Sequence, residues 1–196
     1  GLPLLIVSDV EADDVIGTLS QQATEMGIST LISTGDKDLA QLVNDKVTLI
    51  NTMTNELLDS ESVVGKFGVA PYRIIDYLAL MGDKSDNIPG VPSVGPKTAV
   101  KWLQEYGSME GIIENAGAVG GKVGEKLREN IDLLRLSYKL ATIKMDVALD
   151  VKIPELVAVE EDQQKLHELF SEMEFKSWVK ALEDQGVAGS PKSKKP

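Results

Sequence analysis

The chain has 196 residues, 42% hydrophobic and 26% charged, with a formal net charge of -11 and no cysteine. That length buries one good core, or one core with a small helical satellite, and the composition is that of an ordinary globular protein. Disulfides and thiolate metal sites are excluded, a reducing cytoplasmic setting fits, and neither a membrane span nor a basic leader is visible.

The elements follow in chain order. Leu4–Ser8 is a continuous apolar run and reads as a buried strand. Glu11 to Met26 reads as a helix stopped by Gly27, Ile28–Thr34 as a second strand, Asp38–Val43 as a short helix and Val47–Met53 as a third strand. This order predicts an α/β sheet, mainly parallel, with helices on its faces. From Ser60 the pattern turns helical: Glu61–Phe67, Tyr72–Met81, Lys97–Tyr106, Ser108–Asn115, Lys122–Asn130 and Asp132–Ile143. Val147–Val151 reads as a last strand, Gln163–Glu172 and Lys176–Asp184 as helices, and the end "GVAGSPKSKKP" as a linker or disordered tail. The chain opens at Gly1 almost directly on a strand, and reads as a piece of something longer, cut in a loop.

Charge is divided along the chain. Residues 1–89 carry 5 basic against 14 acidic side chains, residues 90–144 carry 8 against 6, and residues 145–196 carry 7 against 11. The overall acidity therefore does not exclude a nucleic-acid partner, since an acidic region meets phosphates through divalent cations.

Three acidic clusters stand at element ends. "EADD" supplies Glu11, Asp13 and Asp14, "GDKD" supplies Asp36 and Asp38, and "GDKSD" supplies Asp83 and Asp86. Ligands of an open α/β sheet gather beyond the carboxyl ends of its strands, so the first two clusters are expected on one edge. Each cluster has a plainer reading, as a helix cap, a turn or a self-bonded loop. Taken together, with Lys37 and Lys84 as the only bases inside the motifs and no paired bases expected, they favour a cation site. Oxygen ligands without His or Cys suit Mg²⁺ or Mn²⁺. The single histidine, His167, is expected on a surface helix away from these motifs. Two such ions activate a water and stabilise a leaving oxygen in phosphoryl chemistry.

"IPGVPSVGPKTA" follows Asp86 directly. Gly90 and Gly95 allow close backbone approach, Pro96 suits the first turn of a helix, and Lys97 and Thr98 stand beside its free amides. Such a hairpin grips a DNA strand through its phosphates without reading bases. The plainer alternative is a tight turn between helices. Lys101, Lys122, Lys126 and Arg128 lie downstream and could extend the contact, while Trp102 and Tyr106 read as core.

The strings "VEADDVIGTL", "STGDKDLAQLV", "INTMTN", "LALMGDKSDNIPGVPSVGPKTA" and "LSYKLATIKMDV" closely resemble the 5′ nuclease domains of the flap endonuclease family, as carried by bacterial DNA polymerase I. The resemblance runs from about Leu2 to about Trp178. It implies a PIN-like α/β core over residues 1–88 and a helix–three-turn–helix (SAM-like) subdomain over 89–146. It further implies a strand and helices packing back on the core over 147–184, and a linker or tail over 185–196.

It also implies a metal-dependent 5′–3′ exonuclease and flap endonuclease acting on branched or nicked double-stranded DNA with a 5′ flap, in replication and repair. The setting would be the bacterial cytoplasm, with a polymerase domain in the parent chain. Glu11, Asp13, Asp14, Asp36, Asp38, Asp83 and Asp86 would surround two divalent cations, with the catalytic role assigned to Asp13, Asp14, Asp36 and Asp38. Gly90, Val91, Val94, Gly95, Lys97 and Thr98 would contact DNA, with K⁺ held by the carbonyls of Val91 and Val94.

The family domain opens with a strand bearing an aspartate ligand, followed by a second aspartate and a basic arch. These are not found ahead of "EADD" in this chain, so poor cleavage or none is expected of it alone, with marginal stability or completion by another segment. The alternatives are a catalytically incomplete, structure-specific DNA-binding module and a PIN-like ribonuclease.

Overall fold

Helix α1 (Ala12–Glu25) turns Val15, Thr18 and Ala23 inward, and Gly27, at φ +75°, ends it as the sequence predicts. The computed structural model describes residues 1–187; of the segment 185–196 expected as a tail, residues 188–196 lie outside them. After α1 come β1 (Thr30–Ser33), a 3-10 turn over Asp38–Leu42, and β2 (Val47–Asn51). The short helix expected at Asp38–Val43 is therefore wound more tightly than an α-helix.

The strands pair β1 with β2 in parallel, Ile32 opposite Leu49, and β2 with β3 (Glu56–Leu58) antiparallel, Leu49 opposite Leu58. The third strand is one the sequence reading missed. Its turn carries no Gly; Asn55 takes the positive φ of 56° instead. The sheet is mixed, and its parallel part is confined to β1 and β2.

Two expected strands do not form. Leu4–Ser8 joins no ladder, and Leu4 and Ile6 stay exposed. An apolar run becomes a strand only where a neighbouring backbone offers partners, and among the described residues none is offered. Val147–Val151 is also irregular, because the amide of Val147 donates to the Thr18 hydroxyl at 3.1 Å instead of to a strand.

The helices run α2 (Ser60–Phe67), α3 (Ile74–Met81), α4 (Pro96–Tyr106), α5 (Met109–Glu114), α6 (Gly121–Glu129) and α7 (Ile131–Ala141). Asp59 caps α2 by accepting the Ser62 amide at 2.8 Å. Helix α3 is the hub: Ile74, Leu78 and Leu80 are fully buried, and it packs against α4 and α7. Its one buried acid, Asp76, accepts the Met109 amide and pairs with Arg73.

The described residues form two compact units, Val7–Ile153 and a smaller one of Gly1–Ile6 with residues 154 onward. The first holds the sheet, α1 to α7 and both motif regions. In the second, α8 (Gln163–Glu172) and α9 (Lys176–Asp184) form a hairpin around Phe170, Phe175 and Trp178, and the Gly1 ammonium donates to the Val159 carbonyl at 2.6 Å. His167, expected on a surface helix, is buried there. Glu183 lies 3.3 Å and Ser171 3.5 Å from its ring nitrogens, which supplies the polar partners that a buried imidazole needs.

Candidate active site

The loops at the carboxyl end of β1 and at the ends of α1 and α3 converge. Asp36 follows β1, held by its own amide on the Thr34 hydroxyl and by its carboxylate accepting the Asp38 amide at 2.9 Å. Asp13 and Asp14 occupy the first turn of α1, and Glu11 at its N-cap makes no side-chain cap bond, so these acids are not spent on capping. The third loop closes through paired backbone bonds between Asp83 and Ile88, with Asn87 at φ 57°. Asp83 accepts the Ser85 amide at 2.7 Å inside this loop, and Asp86, within the same loop, is exposed.

Six of the seven acids, Glu11, Asp13, Asp14, Asp36, Asp38 and Asp86, line one cavity of about 260 Å³. The seventh, Asp83, adjoins it: one carboxylate oxygen from each of Asp38, Asp83 and Asp86 lies within 4.8 Å of the others. The convergence expected from sequence is therefore present in space. The remaining wall comes from Ile88 and from the end of α7, Leu140 to Ile143.

One expectation is corrected. Two of the acids are paired with bases: Asp83 with the Lys37 ammonium, and Asp14 with Lys144, whose ammonium stands 3.8 Å away while its amide donates at 2.9 Å. Neither lysine neighbours its partner in sequence, so the pairing arises only when the loops meet.

The electrostatics follow the geometry. Asp38 is 8% exposed, and burial, reinforced by repulsion from Asp36, Asp86 and Asp83, pushes its carboxyl up to about 7. Burial and the charges of Asp36, Glu11, Asp14 and Asp86 raise Asp13 as well. Asp83 moves the other way, held low by the Lys37 hydrogen bond, which in turn raises Lys37.

Among the described residues, Asp38 Oδ1 is the one buried side-chain oxygen without a hydrogen-bond partner. A buried, unpartnered carboxylate oxygen beside two more carboxylates fits a hard divalent cation, because an all-oxygen donor set without imidazole or thiolate suits Mg²⁺ or Mn²⁺.

The Gly/Pro segment forms a tight hairpin against the same core. Gly90 sits at φ +63°, and a Cβ there would lie 2.4 Å from the Gly82 amide nitrogen, so only glycine allows the two backbones to cross. The Gly90 amide donates to the buried Ser137 hydroxyl and the Val91 amide to the Leu80 carbonyl. Val91 and Val94 turn their side chains into the core, and the Val91 carbonyl accepts the Val94 amide.

Gly95 stands at the N-cap of α4 with open space where a Cβ would project, Lys97 is exposed, and Thr98 is half-buried. Of the downstream bases, Lys126 reaches the hairpin through Ser93 at 2.7 Å. Arg128 instead donates inward to the Ala116 and Val119 carbonyls. Trp102 is core, as read.

Residues 1–68 match the family model for the 5'-3' exonuclease N-terminal resolvase-like domain, and residues 69–164 match that for its C-terminal SAM fold. The chain belongs to the 5'-3' exonuclease family. DNA polymerase I of Pseudomonas aeruginosa is 51% identical to this family member over 192 residues, covering 93% of the chain and 21% of that protein. The 5'-3' exonuclease of Aquifex aeolicus is 40% identical, covering 93% of the chain and 62% of that protein. A mutant T5 5'-exonuclease superposes with a TM-score of 0.67 at 26% identity, over 71% of this chain and 58% of its own. The chain spans about one fifth of the DNA polymerase I relative named above, 21%. The resolvase-like core with a SAM-like helical part is the architecture expected from sequence.

Proposed function

We propose that this chain is a metal-dependent nuclease domain that hydrolyses DNA phosphodiester bonds at 5′ ends and flaps, as part of a DNA polymerase I. The observation that carries the reading is the meeting of Asp38, Asp83 and Asp86 within 4.8 Å, beside a cavity lined by the other acids, with one buried oxygen of Asp38 unpartnered. A T5 protein co-crystallised with metal ions shares the fold at a TM-score of 0.67 and 26% identity, which supports a metal cofactor.

Bound there, two Mg²⁺ or Mn²⁺ ions would supply Lewis acidity for attack of water on phosphorus and offset charge on the leaving oxygen. The chain's own part is to hold and orient. Asp38, Asp83 and Asp86 would hold a cation, Glu11, Asp13, Asp14 and Asp36 would face it from the cavity or its rim, and Lys37 offsets the charge of Asp83. The acids repel a bare phosphate, so substrate enters only with cations in place.

The hairpin anchors the strand. The start of α4 offers the Lys97 amide with the Lys97 and Thr98 side chains beside it, since Pro96 has no N–H and the Thr98 and Ala99 amides donate to the Gly95 carbonyl, and the open space over Gly95 leaves room for a phosphate. The carbonyls of Val91 and Val94 would hold K⁺ against that phosphate.

The test is cleavage of a 5′-flap DNA by the chain in Mg²⁺, with EDTA and the variants Asp38→Asn and Asp83→Asn as controls. Cleavage that needs both the cation and the carboxylates is expected. Cleavage indifferent to either, or no binding of Mn²⁺ or flap DNA at all, contradicts the reading. Binding of both without cleavage would assign the chain to the DNA-binding module weighed from sequence. An RNA flap cut faster than DNA would assign it to a ribonuclease.

A further inference from the structure

Gln41 lies outside the acid set, yet its side chain touches both walls of the acid cavity. It is buried, 8% exposed, in the 3-10 turn that carries Asp38. Its Nε2 donates to the Asp38 carbonyl at 3.0 Å and to the Ala141 carbonyl at 2.9 Å, and its Oε1 accepts the Ile143 amide at 3.0 Å. One amide group thus satisfies three backbone groups, one on the last residue of α7 and one just past its end. Ala141 and Ile143 line the cavity together with Asp38.

The segment after α7 is held at two further points by α1. Asp14 accepts the Lys144 amide and Thr18 the Val147 amide. Gly17 lies under it, where a Cβ would come 2.6 Å from the Ile143 side chain. No other side chain among the described residues is shown bonding to both the Asp38 turn and this segment.

We infer that Gln41 is a positioning residue for the cation site: it fixes the Asp38 turn against the α7 wall and so sets where the unpartnered Asp38 oxygen points. This rests on the metal reading proposed above. Partners that orient a metal ligand commonly change affinity by roughly ten- to a hundredfold when lost.

The test is calorimetric titration of the chain with Mn²⁺, comparing wild type with Gln41→Met and Gln41→Leu. Both are neutral, so neither alters the charge of the acid cluster, and both remove all three bonds. Val63→Ala, a fully buried core variant away from the cavity lining, controls for general destabilisation. Mn²⁺ affinity is expected to fall roughly tenfold or more in both Gln41 variants and to hold in Val63→Ala. If Gln41→Met does not melt cooperatively, Gln41→Leu decides by the same criterion. Wild-type affinity in a folded Gln41 variant overturns the positioning role and leaves the metal reading standing. A wild-type chain that binds no Mn²⁺ overturns the metal reading, and the positioning role with it.

Discussion

The ammonium of Lys37 rests on the carboxylate of Asp83, joining the loop after β1 to the loop after α3. Together with Lys144, which pairs with Asp14, it is a resident counter-charge of the acid cluster, and Asp83 is one of the three carboxylates close enough to share an ion. Removing it should let a divalent cation bind more tightly. At a few ångströms and a surface-like dielectric, one unit charge changes cation binding by about 1 kcal/mol, or roughly fivefold. Lys37→Met is expected to lower the Mn²⁺ dissociation constant by about that factor, and to release the Asp83 carboxyl upward towards its ordinary range in a carbon-13 titration. Unchanged affinity would show that the pair gives way to the cation without cost.

The acid cluster should also make metal-free stability fall with rising pH. Asp38 has a folded pKa of about 7 against an ordinary value of 3.8, so between those values the folded chain holds a proton that the unfolded chain has lost. Its contribution is complete below the lower value and lost by the upper. In EDTA, the melting temperature should therefore drop from pH 5.5 to pH 8, and Asp38→Asn should flatten the slope. Asp83, held low by Lys37, acts in the opposite sense but at lower pH, below its ordinary value. A wild-type melting temperature that rises over this window would contradict the burial of Asp38.

Two glycines of one hairpin should separate folding from DNA contact. Gly90→Ala places a Cβ 2.4 Å from the Gly82 nitrogen at a φ of +63°, and is expected to destabilise the chain by roughly 2–4 kcal/mol in chemical denaturation. Gly95→Ala meets open space at a φ of -118° and should leave the melting temperature nearly unchanged. Its methyl group, at the proposed phosphate contact, should weaken flap-DNA binding by about tenfold, the loss of roughly one backbone hydrogen bond. A Gly95→Ala chain that binds flap DNA like wild type would remove the hairpin from the interface.

The acid site was legible because its information is local. The "EADD", "GDKD" and "GDKSD" strings fix residue type, and the strand and helix ends that bear them follow from short-range pattern. What could not be read there depends on contacts between loops. The bonds of Lys37 with Asp83 and of Gln41 with Ile143 join segments far apart in sequence. The one hint of Gln41 was a polar residue inside the apolar run Leu39–Val43.

The same limit explains the strands. Leu4–Ser8 has strand composition but no ladder partner among the described residues, whereas Glu56–Leu58 has weak strand composition and pairs because the Asn55 turn lays it beside β2. His167 follows the inward face of α8, where its environment is set by Glu183 of α9.

The most direct measurement is anomalous diffraction at the manganese edge from crystals of the chain equilibrated with Mn²⁺. The account predicts a peak coordinated by Asp38, Asp83 and Asp86, with the Asp38 oxygen that is buried here as one of its ligands. Manganese bound only at other surfaces, with those three carboxylates bare and the Lys37 contact intact, would contradict it.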